Sequence, residues 1–133
     1  MLRPVRLVIV RHAEAASGEP DELRPLTPEG REAARALGLR LANEGLEPDA
    51  VLTSPLLRAR ETAQELARPG GLEPEPDERL APGADADLVR EAVAGRGETV
   101  VTVGHQPDCS EIVLALTGER VSFEPGAVHE VEL

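Results

Sequence analysis

Leu7-Val8-Ile9-Val10-Arg11-His12 is the stretch of this 133-residue chain on which the fold turns. Four consecutive apolar residues rich in β-branched side chains read as a strand buried on both faces. The strand then ends in an Arg-His pair, which puts a nucleophile and a fixed cation at one sheet edge. A second run, Val100-Val101-Thr102-Val103, likewise ends in a histidine, in Gly104-His105. Between the two, Ser54-Pro55 reads as the cap of a helix that carries Arg58 in its first turns. Two histidines and two arginines close to strand exits suit a phosphoryl-transfer pocket.

Further apolar runs place strands at about 5-10, 50-53 and 99-103, and the alternating Ala127-Val128-His129-Glu130-Val131-Glu132 reads as an edge or one-sided strand. Helix signals lie between them. Thr27-Pro28-Glu29 supplies an N-cap, a proline at the first helical position and an early acid. That helix should bury Ala33, Ala34, Leu37 and Leu41 on one face and stop near Gly45. The Ser54 helix should reach about Ala67. Asp87 should cap a short helix to about Ala94, and Pro107-Asp108 should open a last one that ends at Gly118. Strands alternating with helices predict an α/β fold, a mostly parallel sheet with helices on both faces, in one domain over 1-133. Residues 15-26 read as a loop. So do the Pro- and Gly-rich residues 69-84, with room for one short strand. Loops at strand C-termini are where ligands sit in such folds.

The bulk composition limits the function. A net charge of -11 argues against nucleic acid, which rewards clustered basic surface. It also gives no general attraction for phosphorylated substrates, so any anion site must be local. All 14 basic residues are arginine, planar multi-donor forks that suit phosphate. Phe123 is the single aromatic residue, which leaves base stacking poorly supported. The lone cysteine, Cys109, excludes an intrachain disulfide and fits a reducing cytoplasm. The opening MLRPVRLVIV has too short an apolar run for a secretory signal, and no window is long enough to span a membrane.

Each candidate residue has a definite chemistry. A neutral imidazole is a capable nucleophile toward phosphorus, and His12 just past a rigid strand has the position for it. Strand alternation would send Arg11 to the opposite face, so a kink is expected if both line one pocket. Arg58 near a helix N-terminus can make two hydrogen bonds to a phosphoryl group. Its plain alternative is a surface arginine paired with Glu61 or Glu65. His105 follows a glycine that would let the backbone approach a ligand. Gln106-Pro107-Asp108 then presents free backbone N–H groups close by. His105 and Cys109 are spaced as zinc ligands could be, with His12 and His129 as further nitrogens. There is no CxxC, however, and Cys109 reads better as a packed residue, so no metal or other cofactor is expected. Neither a Walker-type loop nor GxGxxG is present.

Taken in order, Val10-Arg11-His12-Ala13-Glu14-Ala15, Leu26-Thr27-Pro28-Glu29-Gly30, Thr53-Ser54-Pro55-Leu56-Leu57-Arg58-Ala59-Arg60-Glu61-Thr62-Ala63 and Val103-Gly104-His105-Gln106-Pro107 form a series. It resembles the histidine phosphatase superfamily, in particular its branch of SixA-like phosphohistidine phosphatases. The resemblance spans residues 5 to about 117. It implies a three-layer αβα sandwich of the phosphoglycerate mutase-like kind. It implies a phosphoryl group accepted on His12, with Arg11, Arg58 and His105 holding the oxygens and Gln106 beside them, and no metal. The common Arg-His-Gly opening is Arg-His-Ala here. Larger members carry an acid that protonates the leaving oxygen, in a region that is short in this chain, where Glu78 and Asp85 are the candidates.

A site without a strong acid favours phosphohistidine, whose P–N bond is weaker and whose imidazole leaves more readily than an alkoxide. The expected reaction is therefore dephosphorylation of phosphohistidine on a partner protein. The alternatives are a phosphatase for a small ester (sugar phosphate or nucleotide) and a non-enzymatic phosphate-binding module.

Overall fold

The apolar runs become the centre of a five-stranded sheet in the computed structural model, which describes residues 4–133. Residues 1–3, the start of the stretch read for a leader, lie outside the described residues. Strand β1 (Arg6–Arg11) pairs in parallel with β4 (Thr99–Gly104), in the register Leu7 to Val100 and Val10 to Val103. On the far side of β4 lies β2 (Ala50–Thr53), also parallel, followed by the two-residue β3 (Glu75–Pro76). The last strand, β5 (Val128–Glu132), runs antiparallel to β1 at the other edge. The order is β3-β2-β4-β1-β5, so the two central strands, β4 and β1, are those that end in a histidine.

Continuous apolar runs are required because both faces of these strands are covered. Leu7 and Ile9 face one layer of the core with Val89, Val93, Ile112 and Val113. Those four lie on α3 (Ala86–Val93) and α4 (Asp108–Thr117). Val8 and Val10 face the other layer, with Leu37 and Leu41 of α1 (Pro28–Asn43) and Ala59 and Ala63 of α2 (Leu57–Ala67). This is the three-layer αβα arrangement. Edge strand β5 alternates as expected and turns Val131 into the core. No helix among the described residues is long and apolar enough to cross a membrane.

The caps show where local reading succeeds and where it slips. Thr27 Oγ1 accepts from Gly30 N at 2.9 Å, and Pro28 takes the first position of α1. Along α1 the buried face is Gly30, Ala34, Leu37, Gly38 and Leu41, whereas Ala33 is exposed. Helix α2 starts later than Ser54-Pro55 suggests. The chain stays extended through Leu56 (φ -68°, ψ 141°), and no side chain caps the helix. The cap of α3 is Asp85, whose Oδ1 accepts from Leu88 N at 2.9 Å, and not Asp87. Both aspartates precede the same apolar face, and tertiary packing chooses between them. Helix α4 ends as read, at Gly118 in the left-handed region with φ 79°.

Two glycines let the layers close. A Cβ on Gly38 would lie 2.6 Å from the Glu65 carbonyl oxygen, so only glycine lets α1 and α2 approach there. A Cβ on Gly30 would lie 2.1 Å from the Glu14 carbonyl oxygen, which seats the start of α1 against the loop leaving β1.

Candidate active site

Arg11, His12, Arg58, His105 and Gln106 line one cavity of about 310 Å³ at the C-terminal end of the parallel strands. Asp21, Arg24 and Pro82 complete its lining. A roomier groove, about 420 Å³, lies beside α1 and α2 along Leu41, Leu46, Leu66 and Val101, but no group of reactive side chains converges on it.

His12 is set at the point where the chain leaves the sheet. Its N–H still donates to Gly104 O at 3.0 Å, and Gly126 N donates back to the Arg11 and His12 carbonyls. Ring nitrogen Nδ1 lies 2.7 Å from the Ala13 carbonyl oxygen. A carbonyl only accepts, so Nδ1 carries the ring proton and Nε2 keeps its lone pair. Ala13 is fixed in turn: its N–H donates to Thr62 Oγ1 at 3.0 Å, and that hydroxyl donates to Arg58 O at 2.8 Å. One buried threonine on α2 thus ties the loop that carries His12 to the turn that carries Arg58.

The imidazole is held neutral. Burial lowers the His12 pKa to about 4 against the bond to Ala13, and the positive charges of Arg58, Arg11 and Arg24 lower it further. His105 is lowered to about 4 as well, by burial first and then by His12 and Arg58. The two rings meet edge to face with centroids 5.2 Å apart. His105 Nε2 lies 2.7 Å from Ser54 Oγ, which also accepts from Leu56 N at 3.2 Å. Ser54 therefore orients His105 instead of capping α2. If its hydroxyl proton goes to Nε2, the ring proton sits on Nδ1 and is free for a ligand.

The arginines are anchored from behind. Arg11 Nη1 donates to Phe123 O at 2.9 Å. Arg11 closes β1 at the last paired position, and its long side chain reaches the same cavity as His12. Arg58 pairs with neither Glu61 nor Glu65, which face Arg31 and Arg68. Instead it donates to the backbone oxygen of Asp21 at 2.9 Å and to Asp21 Oδ2 at 3.3 Å. The Nε groups of Arg11 and Arg58 are buried without an acceptor among the described residues. Both guanidinium groups belong to residues that line the cavity, and a buried donor left unmade costs about 1–3 kcal/mol, a cost that an anionic ligand would offset.

The other candidates lie elsewhere. Gln106 lines the cavity, but its side chain is occupied at α4, where Oε1 accepts from Ser110 N at 3.0 Å and Nε2 donates to Ser110 Oγ at 2.8 Å. Neither Glu78 nor Asp85 lines the cavity. Glu78 is exposed on the single 3-10 turn 78–80, and the Asp85 carboxylate is taken up in capping α3. Gly104 is not sterically required, since an added Cβ would come no nearer than 4.0 Å to Cys109 Sγ and Leu80 O. Cys109 packs in the core, its thiol pushed up to about 12 by burial and by Asp108. Asp21 and Arg24 escaped the sequence reading. The available signal was their place in a loop that follows a strand C-terminus.

Fold and cavity together fit a phosphoryl-transfer class of protein, and the chain belongs to the histidine phosphatase superfamily (branch 1), whose family model matches residues 7–82. Within that class it is similar to the phosphohistidine phosphatase SixA of Escherichia coli (strain K12). The two are 32% identical over 140 residues, covering 97% of this chain and 86% of that protein. An uncharacterized protein of Picosynechococcus sp. is 35% identical over 136 residues, 93% of this chain and 82% of its own length. The solved structure of the protein histidine phosphatase SixA complexed with tungstate superposes with a TM-score of 0.85 at 30% identity. That match covers 95% of this chain and 86% of that one. Membership in the family and these likenesses support a phosphatase activity.

Proposed function

We propose that this chain removes the phosphoryl group from phosphohistidine displayed on a partner protein, with His12 as the transient carrier. The observation that carries the reading is the pairing of a free His12 Nε2 with a cavity whose lining carboxylate, Asp21, is ion-paired to Arg58 and Arg24. That carboxylate is placed to accept hydrogen bonds and not to hand a proton to a leaving alkoxide. The likeness to a SixA phosphatase that holds tungstate, a tetrahedral oxyanion, supports the same reading.

The proposed steps use the groups that line the cavity. The lone pair of His12 Nε2 attacks phosphorus as the substrate P–N bond breaks. Arg11, Arg58 and His105 take up the charge on the phosphoryl oxygens, the main service a protein gives in phosphoryl transfer. Attack makes the His12 ring cationic, and the Ala13 carbonyl stabilises its Nδ1–H. Water then attacks the phosphoryl group, and the pair of the broken bond returns to Nε2. With Pro82 exposed and the Asp21 side chain 65% exposed, the rim is open to a ring presented on another protein.

The test compares phosphate release from a phosphohistidine-bearing protein domain with release from a panel of phosphomonoesters. General acid help is worth roughly 10²–10⁴-fold, so esters, which need it, should be slower by about 100-fold or more in kcat/KM. Faster turnover of an ester would move the activity to a small-molecule substrate.

A further inference from the structure

We infer that Asp21 determines specificity for the P–N bond: its carboxylate accepts a hydrogen bond from the distal ring nitrogen of the substrate phosphohistidine, so that the ring leaves as neutral imidazole. The inference rests on the phosphohistidine reading and names the residue that makes that chemistry selective.

Asp21 is out of place in a site meant for phosphate alone. It is the one carboxylate among the cavity-lining residues, set between two of the three lining arginines. Its Oδ2 lies 3.3 Å from Arg58 Nη2, and its Oδ1 lies 3.1 Å from Arg24 Nε. A fixed negative charge there repels a phosphoryl dianion and draws off charge from the arginines that should bind it. The arrangement makes sense for a ligand that brings a cation with its phosphate, as a ring-protonated phosphohistidine does. Asp21 is also held firmly enough to act on such a ligand. Its backbone oxygen accepts from Arg58 Nη1 at 2.9 Å, so main chain and carboxylate are both fixed by one side chain. Each carboxylate oxygen has a second lone pair, and the side chain is 65% exposed toward the open rim.

The electrons balance without a proton donor. The Nε2 pair of His12 forms the new P–N bond, while the pair of the old bond returns to the substrate nitrogen. With the distal nitrogen already protonated and bonded to Asp21, that return yields neutral imidazole. The Ala13 carbonyl does the same for His12 in the second step. An ester oxygen has no distal N–H, so Asp21 gives it nothing.

The charged and titratable groups that share the cavity with Asp21 are Arg58 from α2, Arg24 from its own loop, Arg11 at the end of β1, and His12 and His105 just past β1 and β4. Both histidines, lowered to about 4, stay neutral from pH 5.5 upward and add no titration in the range of the test. The experiment compares wild type, Asp21→Asn and Asp21→Glu on free phosphohistidine and on p-nitrophenyl phosphate between about pH 5.5 and 9, spanning the ordinary imidazole range. Asp21→Asn should lose about 10–100-fold in kcat/KM on phosphohistidine at pH 8, the worth of one hydrogen bond to a charged group. The loss should shrink toward pH 5.5, where solvent keeps the substrate ring protonated. Turnover of p-nitrophenyl phosphate should fall by less, so that the ratio of kcat/KM on phosphohistidine to that on p-nitrophenyl phosphate drops by about 10-fold or more, and Asp21→Glu should recover most of the phosphohistidine activity. Equal losses on both substrates would overturn the inference, because Asp21 would then only position Arg58. No loss on phosphohistidine would overturn it too. A wild-type enzyme that prefers p-nitrophenyl phosphate would defeat the phosphohistidine reading itself, and this inference with it.

Discussion

His12 is kept uncharged, and its neighbours divide that work. Burial and three arginines oppose protonation, while the Ala13 carbonyl decides which nitrogen holds the one proton. The consequence for pH is opposite to that of a histidine with a carboxylate partner. The folded pKa lies below the ordinary value of about 6.5, so the neutral, nucleophilic form persists as the solution is acidified. We expect the acid limb of kcat/KM, corrected for substrate ionisation, to fall near pH 4 and not near 6.5. A limb at 6.5 would mean that the imidazole is far more solvated than its 8% exposure indicates. Arg58 makes the complementary point. Its sequence neighbours Glu61 and Glu65 were its natural partners, yet α2 turns both toward Arg31 and Arg68 and leaves Arg58 for the cavity.

At the scale of elements, the site depends on how α1 is docked onto the loop that leaves β1. Thr27 N donates to Glu14 O at 3.0 Å, and Thr27 Oγ1 donates to Glu14 Oε1 at 2.8 Å. Gly30 brings the helix start into contact with the same peptide. Gly30→Ala should therefore cost about 1–3 kcal/mol in denaturant unfolding, the usual penalty for overpacking where backbone must yield. It should also lower kcat/KM, because Ala13, Asp21 and Arg24 all ride on that loop. Gly104→Ala, with free space at its Cβ, should leave stability nearly unchanged. An unchanged Gly30→Ala protein would show that the loop is not held from α1. The elements differ in how legible they were. The Thr27 cap and the apolar strands could be read because local propensity and tertiary packing agree there. Ser54-Pro55 looks like a cap by the same rule, but its hydroxyl is taken by His105 across the sheet, a contact no local pattern encodes. Asp21 and Arg24 were hidden for a similar reason, since a loop residue reaches a site only by the path of the loop.

The molecule as a whole is acidic, with a net charge of -11, yet one cavity gathers three arginines around two neutral histidines. The parallel sheet makes this compatible. It delivers the ends of β1 and β4 side by side, and α2 adds Arg58 from the crossover after β2, so the anion site is built from position and not from bulk charge. The pairing of Arg-His with Gly-His was legible because both follow unmistakable strands. The entry of Arg11 into the same cavity was not, since it occurs where the strand ends and the side chain's own length takes over. The account stands or falls on His12 carrying the phosphoryl group. The most direct measurement is rapid quenching of wild type and His12→Ala during turnover of radiolabelled phosphohistidine protein, followed by mapping of the label. The prediction is one acid-labile, base-stable phosphoryl group per chain on His12, and none in the His12→Ala protein. Label on another residue, or undiminished turnover in His12→Ala, would contradict it.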